Sequence, residues 1–220
     1  MKKKYVIAID GPAGVGKTTT AKLAAKKLGY IYIDTGAMYR AVAWKSLKER
    51  TSLSDSRKLK SMLVKLDMRI ISENARMRIL IDGEDITGRL RTRTITELSS
   101  KISTIREVRQ YLVKIQRRVG RKGGVVIEGR DIGTVVFPGT PYKFFLEASI
   151  KERARRRYLE LKKQGIPVAL AGIRREIITR DKRDITRAMS PLRKADDAIV
   201  IDSTAKTAKG VVECIVNRIK

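Results

Sequence analysis

The chain has 220 residues and carries 50 Lys or Arg against 23 Asp or Glu, a formal net charge of +27. Its length fits one domain, or one domain with a sizeable insertion, and its 42% hydrophobic residues can build a core. One cysteine, Cys214, excludes a disulfide framework, and the absence of histidine excludes imidazole bases, His-ligated metals and Ser-His-Asp triads.

The N-terminal part of the chain predicts the beginning of a parallel α/β sheet. An apolar run at residues 5–9 predicts a strand buried on both faces, followed by a Gly-rich turn and a helix over 17–28. A second strand at 30–33 and a helix from about 36 to 48 come next. The first apolar run is too short for a signal-peptide core or a membrane span, so we expect a cytoplasmic protein without a membrane partner.

The middle of the chain has a different pattern. Residues 66–72 and 76–81 alternate apolar with polar or basic residues, and a turn at 73–75 separates them. This pattern predicts a small antiparallel hairpin, inserted over 66–82 into the parallel arrangement. Helices are expected over 94–103 and 105–121.

The parallel pattern then resumes and continues to the C-terminus. Short apolar runs predict strands at 125–127, 142–146 and 198–201, and helical patterns cover 150–163, 169–186 and 205–219. The sequence therefore predicts an α/β fold, with a five-stranded parallel sheet flanked by helices and a hairpin-bearing insertion.

The first strand is followed by a phosphate-binding pattern. The eight residues from Gly11 to Thr18, GPAGVGKT, fit G-x-x-x-x-G-K-[ST] between an apolar strand and a helix. In such a P-loop, backbone N–H groups and the helix N-terminus face the phosphates, the lysine reaches the β- and γ-phosphates, and the hydroxyl ligates Mg²⁺. The residues predicted to bind ATP are Gly11, Pro12, Ala13, Gly14, Val15, Gly16, Lys17, Thr18 and Thr19.

A P-loop alone does not distinguish GTPases, motor ATPases and small-molecule kinases. The guanine-reading NKxD pattern of GTPases is absent from the sequence. A motor ATPase would have a strand ending in paired acids, whereas the strand at 125–127 is followed by Glu128 and then Gly-Arg-Asp. Both of these classes therefore fit poorly.

Arginines and acids recur at places where a ligand could bind. Arg130 and Asp131 directly follow a predicted parallel strand, where ligands bind in open α/β sheets. The pair Arg153 and Arg157 is spaced i,i+4, and Arg180, Asp184 and Arg187 are spaced i, i+4, i+7, so each set shares a helical face. For the first set, the alternative is a solvated basic helix face. For the second set, the alternative is a ladder of surface ion pairs.

Several longer motifs occur in order and carry a resemblance to a known family. They are DTGAMYR at 34–40, EGRDIGTVVFP at 128–138, RD-x-x-D-x-x-R at 180–187, SPL at 190–192 and DAIVIDST at 197–204. With these motifs, the chain resembles bacterial cytidylate kinase, a nucleoside monophosphate kinase that phosphorylates CMP and dCMP with ATP. The resemblance runs from Ile7 to the C-terminal helix.

The resemblance implies a single P-loop kinase domain over residues 1–220. Within it, 35–108 would be the monophosphate-binding region and 150–187 the lid region. The implied catalytic residues are Lys17, Arg130, Arg153, Arg157 and Arg187. The implied CMP-binding residues are Thr35, Tyr39, Arg40, Ser100, Arg109, Arg130, Asp131, Arg180, Asp184 and Arg187. Mg²⁺ would be bound by Thr18, with Asp34 as a candidate ligand through water and an N-cap role as the alternative for Asp34.

The chemistry of such a transfer is compatible with the missing histidine. The attacking group would be a phosphate oxygen, largely ionised near neutral pH, so no protein base is required. Catalysis then consists of positioning and of neutralising charge on the transferred phosphoryl group, which Lys, Arg and Mg²⁺ can do. Asp131 could accept from the cytosine amino group and Arg109 could donate to the base.

Two alternatives remain open in the sequence. One is a kinase for another acceptor, such as UMP, AMP or shikimate. The other is a nucleic-acid-associated P-loop ATPase, suggested by the charge of +27; the same charge fits a Lys- and Arg-rich surface interspersed with acids. No basic motif interleaved with aromatics is present, so we expect no specific nucleic-acid partner. We also expect a monomer that binds small nucleotides.

Overall fold

The computed structural model describes residues 4–73 and 76–219. The elements, in chain order, are β1 (Val6–Asp10), α1 (Lys17–Leu28), β2 (Ile31–Asp34), α2 (Thr35–Lys48), α3 (Ser56–Lys65), β3 (Met68–Glu73), β4 (Arg76–Ile81), β5 (Glu84–Asp85), a 3₁₀ turn (Thr87–Arg89), α4 (Arg93–Ile102), α5 (Arg106–Gly120), β6 (Val125–Gly129), a π-helical turn (Ile132–Val136), β7 (Tyr142–Glu147), α6 (Ile150–Lys163), α7 (Leu170–Thr186), β8 (Ile199–Asp202) and α8 (Ala208–Val216).

The centre of the fold is a five-stranded sheet in the order β2-β6-β1-β7-β8. All of its pairings are parallel, as the sequence predicts. The carboxyl ends of the strands therefore meet at one edge, where Asp10 is in register with Gly129 and Asp34 with Glu128. This edge brings the P-loop, the start of α2 and the segment after β6 together.

Helices cover both faces of the sheet, which explains why its strands read as continuous apolar runs. Ile7 and Ile9 of β1 point toward one core, shared with α1 and α8. Ala8, between them, points to the other core, shared with α2, α4, α5 and the insertion. Within the described residues, no helix is both long and apolar enough to cross a membrane.

The insertion is larger than the sequence patterns predict. The expected hairpin is present as β3 and β4, and β5 adds a third antiparallel strand; residues 74 and 75 of the predicted turn lie outside the described part. Helix α3 was not predicted, although its signals are local. Asp55 caps it by accepting from the Lys58 N–H, and Leu59, Met62 and Leu63 form its buried stripe.

The last helix is shorter than expected. The predicted helix over 205–219 is observed as Ala208–Val216. Its first turn is fixed by Thr207, whose side chain accepts from the Gly210 N–H at 3.2 Å and so acts as the N-cap. The residues just before this cap instead belong to the loop that follows β8.

Candidate active site

The P-loop forms a tight turn between β1 and α1. At Gly11, φ is +149°, and a Cβ there would lie 2.4 Å from the Leu146 carbonyl oxygen, so only glycine fits. The Lys17 Nζ lies inside the turn, where it donates to the carbonyls of Gly11 at 2.8 Å and Pro12 at 2.6 Å. The turn thus places a cation and the N-terminus of α1 around one concavity, an arrangement that binds anions.

The cations of this edge are buried close to one another. Burial, and next the charge of Arg130, hold the pKa of Lys17 well below its ordinary value. The same two causes lower the pKa of Arg180 to about 10. Each of these positive charges repels its neighbours and so disfavours their protonated forms. A polyanionic ligand would relieve this repulsion.

Two carboxylates face these cations from adjacent strands. Glu128 is buried at the end of β6, where it accepts from the Tyr32 hydroxyl at 2.8 Å and hydrogen-bonds the Thr18 side chain. Its pKa is raised by burial and then by the neighbouring Asp34. The Asp34 carboxylate caps α2 through the Ala37 N–H at 2.8 Å and pairs with Arg40.

The oxygen atoms of these side chains are of the kind that binds Mg²⁺. Mg²⁺ is commonly bound by one or two carboxylates together with substrate phosphates and waters. Here the Thr18 hydroxyl and the carboxylates of Glu128 and Asp34 converge beside the P-loop. Among the described residues, no group of three or more His, Cys, Asp and Glu is arranged to hold a metal ion.

A cavity opens beside the P-loop and collects residues that are far apart in the sequence. All of the predicted CMP-binding residues except Arg40 and Arg109 line it. The lining residues are Thr35, Gly36, Tyr39, Ser99, Ser100, Ser103, Gly129, Arg130, Asp131, Arg180, Asp184 and Arg187. They come from α2, α4, α7 and the segment after β6, so the cavity exists only when these elements are packed together.

Ion pairs hold the acceptor side of this cavity together. Arg109 is 2% exposed and pairs with one oxygen of Asp131, whose other oxygen lies 3.6 Å from Arg187. Arg130 donates from Nε to Asp184 at 2.8 Å. The two Arg109 and Arg187 guanidinium groups therefore fix the Asp131 carboxylate in the cavity wall.

Several buried donors of the arginines in and around this cavity make no hydrogen bond. Within the described part of the chain, the Nε atoms of Arg40, Arg109 and Arg180 and the Nη2 atom of Arg187 are buried without a hydrogen bond. Buried donors are normally paired, so four such atoms around one site indicate that a ligand completes it. Arg180 and Arg187 line the cavity itself.

The start of α2 shapes the rim of the cavity. The Thr35 hydroxyl donates to the Glu128 carbonyl at 2.7 Å, which ties α2 to β6. Gly36 allows Arg40 to fold back toward Asp34, since a Cβ there would lie 3.2 Å from the Arg40 Nη1. The Arg109 guanidinium carbon lies 5.7 Å from the centroid of the Tyr39 ring. Burial raises the pKa of the Tyr39 hydroxyl to about 12.

The chain matches the sequence model of a protein family over nearly its whole length. The model described as cytidylate kinase matches residues 7–220. This chain belongs to the cytidylate kinase family. The cytidylate kinase of Carboxydothermus hydrogenoformans is 49% identical over 206 residues, covering 94% of this chain and 93% of the relative. That of Bacillus subtilis is 46% identical over 220 residues, covering 100% of this chain and 98% of the relative.

Membership of the cytidylate kinase family confirms the resemblance and the predicted CMP-phosphorylating kinase, and it does not favour the alternatives. A crystal structure of an uncharacterized protein from Eubacterium ventriosum has a TM-score of 0.52 to this chain at 13% identity. That match covers 99% of this chain and 98% of the other, and it shows the shared fold alone.

The two arginines predicted in the lid region lie in different surroundings. Arg153 is buried, and its Nη1 donates to the Ala13 carbonyl at 2.9 Å and to Asp181. Asp181 in turn accepts from the Ala13 N–H at 3.0 Å. Arg157 is outside this cluster and pairs with Glu160 at 2.7 Å on the surface of α6. Thr19, predicted to bind ATP, is exposed on α1.

Sequence reasoning missed four residues of this cytidylate kinase site. Asp10 accepts from the N–H groups of Ile132 at 2.9 Å and Gly133 at 2.8 Å, and so joins the strand before the P-loop to the segment after Asp131. The other three are Glu128, Asp181 and Arg183. Glu128 could have been found, because it ends the strand beside β1. The partners of the other residues are distant in sequence, and no short motif indicates them.

Proposed function

We propose that this chain transfers the γ-phosphoryl group of ATP to CMP and dCMP, giving ADP with CDP or dCDP. An oxygen of the acceptor phosphate attacks the γ-phosphorus while the bond to the bridging oxygen of ADP breaks, in line. The reacting groups carry their own charge, so the protein supplies position and positive charge. No side chain has to remove a proton from the acceptor.

The P-loop residues would hold the donor. The Lys17 ammonium already lies within the loop and would exchange its contacts with the Gly11 and Pro12 carbonyls for phosphate oxygens. Arg130 and Arg187 would take the charge shared between donor and acceptor. Mg²⁺ bound beside Thr18 would offset the charge of the phosphates, and the Glu128 and Asp34 carboxylates would orient its waters.

The arginines of the cavity would hold the acceptor. Arg40, Arg180 and Arg187 each have a buried donor that makes no hydrogen bond within the protein, and a phosphate and ribose would satisfy them. Thr35 and Tyr39 would bound the phosphate end, and Asp184 would hold Arg130 in place.

The base would be read at the other end of the cavity. Asp131 would accept from the cytosine amino group, Arg109 would keep that carboxylate in place, and Ser100 would make a further polar contact. Uracil offers a carbonyl where cytosine offers the amino group. With UMP, the Asp131 carboxylate would lose the hydrogen bond from the ligand and face a second acceptor, the uracil carbonyl, in a buried site, which destabilises the complex by more than the lost contact alone.

The single observation that carries this proposal is the cavity beside the P-loop, whose wall combines buried Arg180 and Arg187 donors that lack a hydrogen bond with an Asp131 carboxylate held by Arg109. The test is a coupled assay of ADP release with CMP, dCMP, UMP, AMP and shikimate as acceptors. We expect CMP and dCMP to give the highest kcat/KM. A preference for UMP, AMP or shikimate would contradict the proposal.

Further parts of the proposal concern the setting of the reaction. We propose that Mg²⁺ is required, that residues 35–108 form the monophosphate-binding region and that 150–187 form the lid region. We also propose that the enzyme acts as a cytoplasmic monomer on free nucleotides. Loss of turnover with EDTA and its return with Mg²⁺, together with the mass measured by light scattering, would test the metal and the oligomeric state.

A further inference from the structure

Three serines at the C-terminal end of α4, Ser99 and Ser100 within the helix and Ser103 directly after it, line the acceptor cavity, and their hydroxyls are held in different ways. Ser99 donates to the Thr96 carbonyl and Ser103 donates to the Ser100 carbonyl, both at 2.8 Å, so both hydroxyl hydrogens are used within the helix region. The Ser100 Oγ instead accepts from the Arg183 Nη1 at 2.6 Å. Arg183 belongs to α7 and does not itself line the cavity.

The nature of the guanidinium decides what this contact does to the hydroxyl. Arginine can only donate, so it occupies a lone pair of the Ser100 oxygen and leaves the hydroxyl hydrogen and one lone pair for other partners. A positive charge at 2.6 Å also makes the hydroxyl a stronger donor. Ser100 is 6% exposed and borders the cavity. Its hydroxyl hydrogen and remaining lone pair are therefore available to a ligand in the cavity rather than to bulk water.

We propose that Arg183 is a specificity-positioning residue that orients the Ser100 hydroxyl toward the base of the acceptor nucleotide. The inference rests on the proposed function, in which Ser100 contacts the cytosine. Arg183 touches no reacting atom and acts only through Ser100. Selectivity between CMP and UMP therefore depends on a residue outside the cavity, on a helix that also carries Arg180, Asp184 and Arg187.

A merely structural role for Arg183 would be to tie α7 to α4. The chain contains a natural control for that role, because Arg93 of α4 pairs with Glu176 of α7 at 2.9 Å. Both partners of this second bridge are well exposed, and neither lines the cavity. A tie between the helices would make the two bridges equivalent, whereas positioning of Ser100 requires only the Arg183 bridge.

The test is a double-mutant cycle on kcat/KM for CMP and for UMP, with Ser100→Ala, Arg183→Ala and the double variant in the full chain. We expect each single change to lower kcat/KM for CMP about tenfold, the loss of one charge-assisted hydrogen bond, and the double variant to lose no more. The CMP-to-UMP ratio falls in all three. KM for ATP stays near that of the unmodified enzyme.

Two further variants make the outcome decisive. Arg93→Ala is expected to leave kcat/KM for CMP and the CMP-to-UMP ratio unchanged, and Arg183→Lys is expected to recover part of the loss. Independent losses that multiply to about a hundredfold in the double variant would overturn the inference. So would a Ser100→Ala variant with unchanged kcat/KM, or an Arg93→Ala variant that matches Arg183→Ala. Absence of CMP turnover in the unmodified enzyme would overturn the proposed function as well.

Discussion

The proposed donor and acceptor halves of the site are built in opposite ways. The donor half is a contiguous turn, residues 11–18, whose shape comes from glycines and whose charge comes from Lys17 within the same turn. The acceptor half is assembled from α2, α4, α7 and the end of β6, and ion pairs such as Arg109–Asp131 hold it. Local backbone geometry determines the first half, whereas tertiary packing determines the second.

The difference has a consequence for how each half tolerates change. Replacing the Lys17 side chain in the turn would remove one contact with phosphate and leave the rest of the fold in place. A substitution in the acceptor half also leaves a buried partner without its counter-charge, so it changes binding and packing together. Kinetics and unfolding measured on the same variants separate these two kinds of effect.

The largest effect is expected in the donor half. Lys17→Met removes the ammonium that we propose lies beside the transferred phosphoryl group, and we expect kcat to fall by about 10³-fold or more, in the range measured for single groups that stabilise transition-state charge. Stability should not fall, because Lys17 is a buried cation whose pKa is lowered by burial and by Arg130. Steady-state kinetics and thermal melting test both parts. A variant that unfolds instead would show that the lysine is structural.

In the acceptor half, Asp131→Asn is expected to change selectivity more than rate. The neutral amide can still accept one hydrogen bond, but it weakens the pairing with Arg109 and Arg187 and offers an N–H₂ group that suits uracil. We expect the CMP-to-UMP ratio of kcat/KM to fall by about 10²-fold. Thr134→Val is a control in the same segment, outside the cavity lining. An unchanged ratio in Asp131→Asn would contradict the base-reading role.

These two halves also differ in how well the sequence predicts them. The P-loop and the five parallel strands are visible in short patterns, because the residues that form them are neighbours. Among the cavity residues, Arg130, Asp131, Arg180, Asp184 and Arg187 stand out by position and spacing, whereas Thr35, Tyr39 and Ser100 are reached through family resemblance. Asp181 shows the limit of both approaches. Its place in the RD-x-x-D-x-x-R run is evident, but its hydrogen bond to the Ala13 N–H spans 168 residues. No periodicity or spacing rule encodes such a contact.

Asp10 links the strand before the P-loop to the segment after Asp131 through hydrogen bonds from Ile132 and Gly133. The protonation of its carboxyl group is expected to change the stability of the fold with pH. Burial raises the pKa of Asp10 from 3.8 to about 6, against the hydrogen bonds from Gly133 and Ile132; Asp131 and Lys17 are the nearby charges. A group protonated more readily in the folded state stabilises the fold below its unfolded pKa and loses that contribution as pH rises through the folded value. The carboxyl of Asp10 therefore favours folding most at acid pH.

The measurement compares the unmodified chain with Asp10→Asn by denaturant unfolding between pH 4 and pH 8. We expect the difference in the free energy of unfolding, unmodified minus variant, to decrease by about 2 kcal/mol from pH 4 to pH 6, to decrease by a few tenths of a kcal/mol more up to about pH 7, and to stay constant above that. Taking the difference cancels the many surface carboxylates that titrate in the opposite sense. A difference independent of pH would mean that Asp10 keeps an ordinary pKa in the folded chain.

The smallest effect on stability, and the sharpest question about the donor half, concerns Arg157. Its pair with Glu160 is exposed, so Arg157→Ala and Glu160→Ala should each change the free energy of unfolding by less than about 0.5 kcal/mol. Both variants break the same ion pair, but only the first removes the guanidinium. If α6 brings Arg157 over ATP during turnover, kcat falls in Arg157→Ala and is unchanged in Glu160→Ala. Equal kcat values in the two variants would assign Arg157 to the surface, while Arg153 contacts the P-loop through the Ala13 carbonyl.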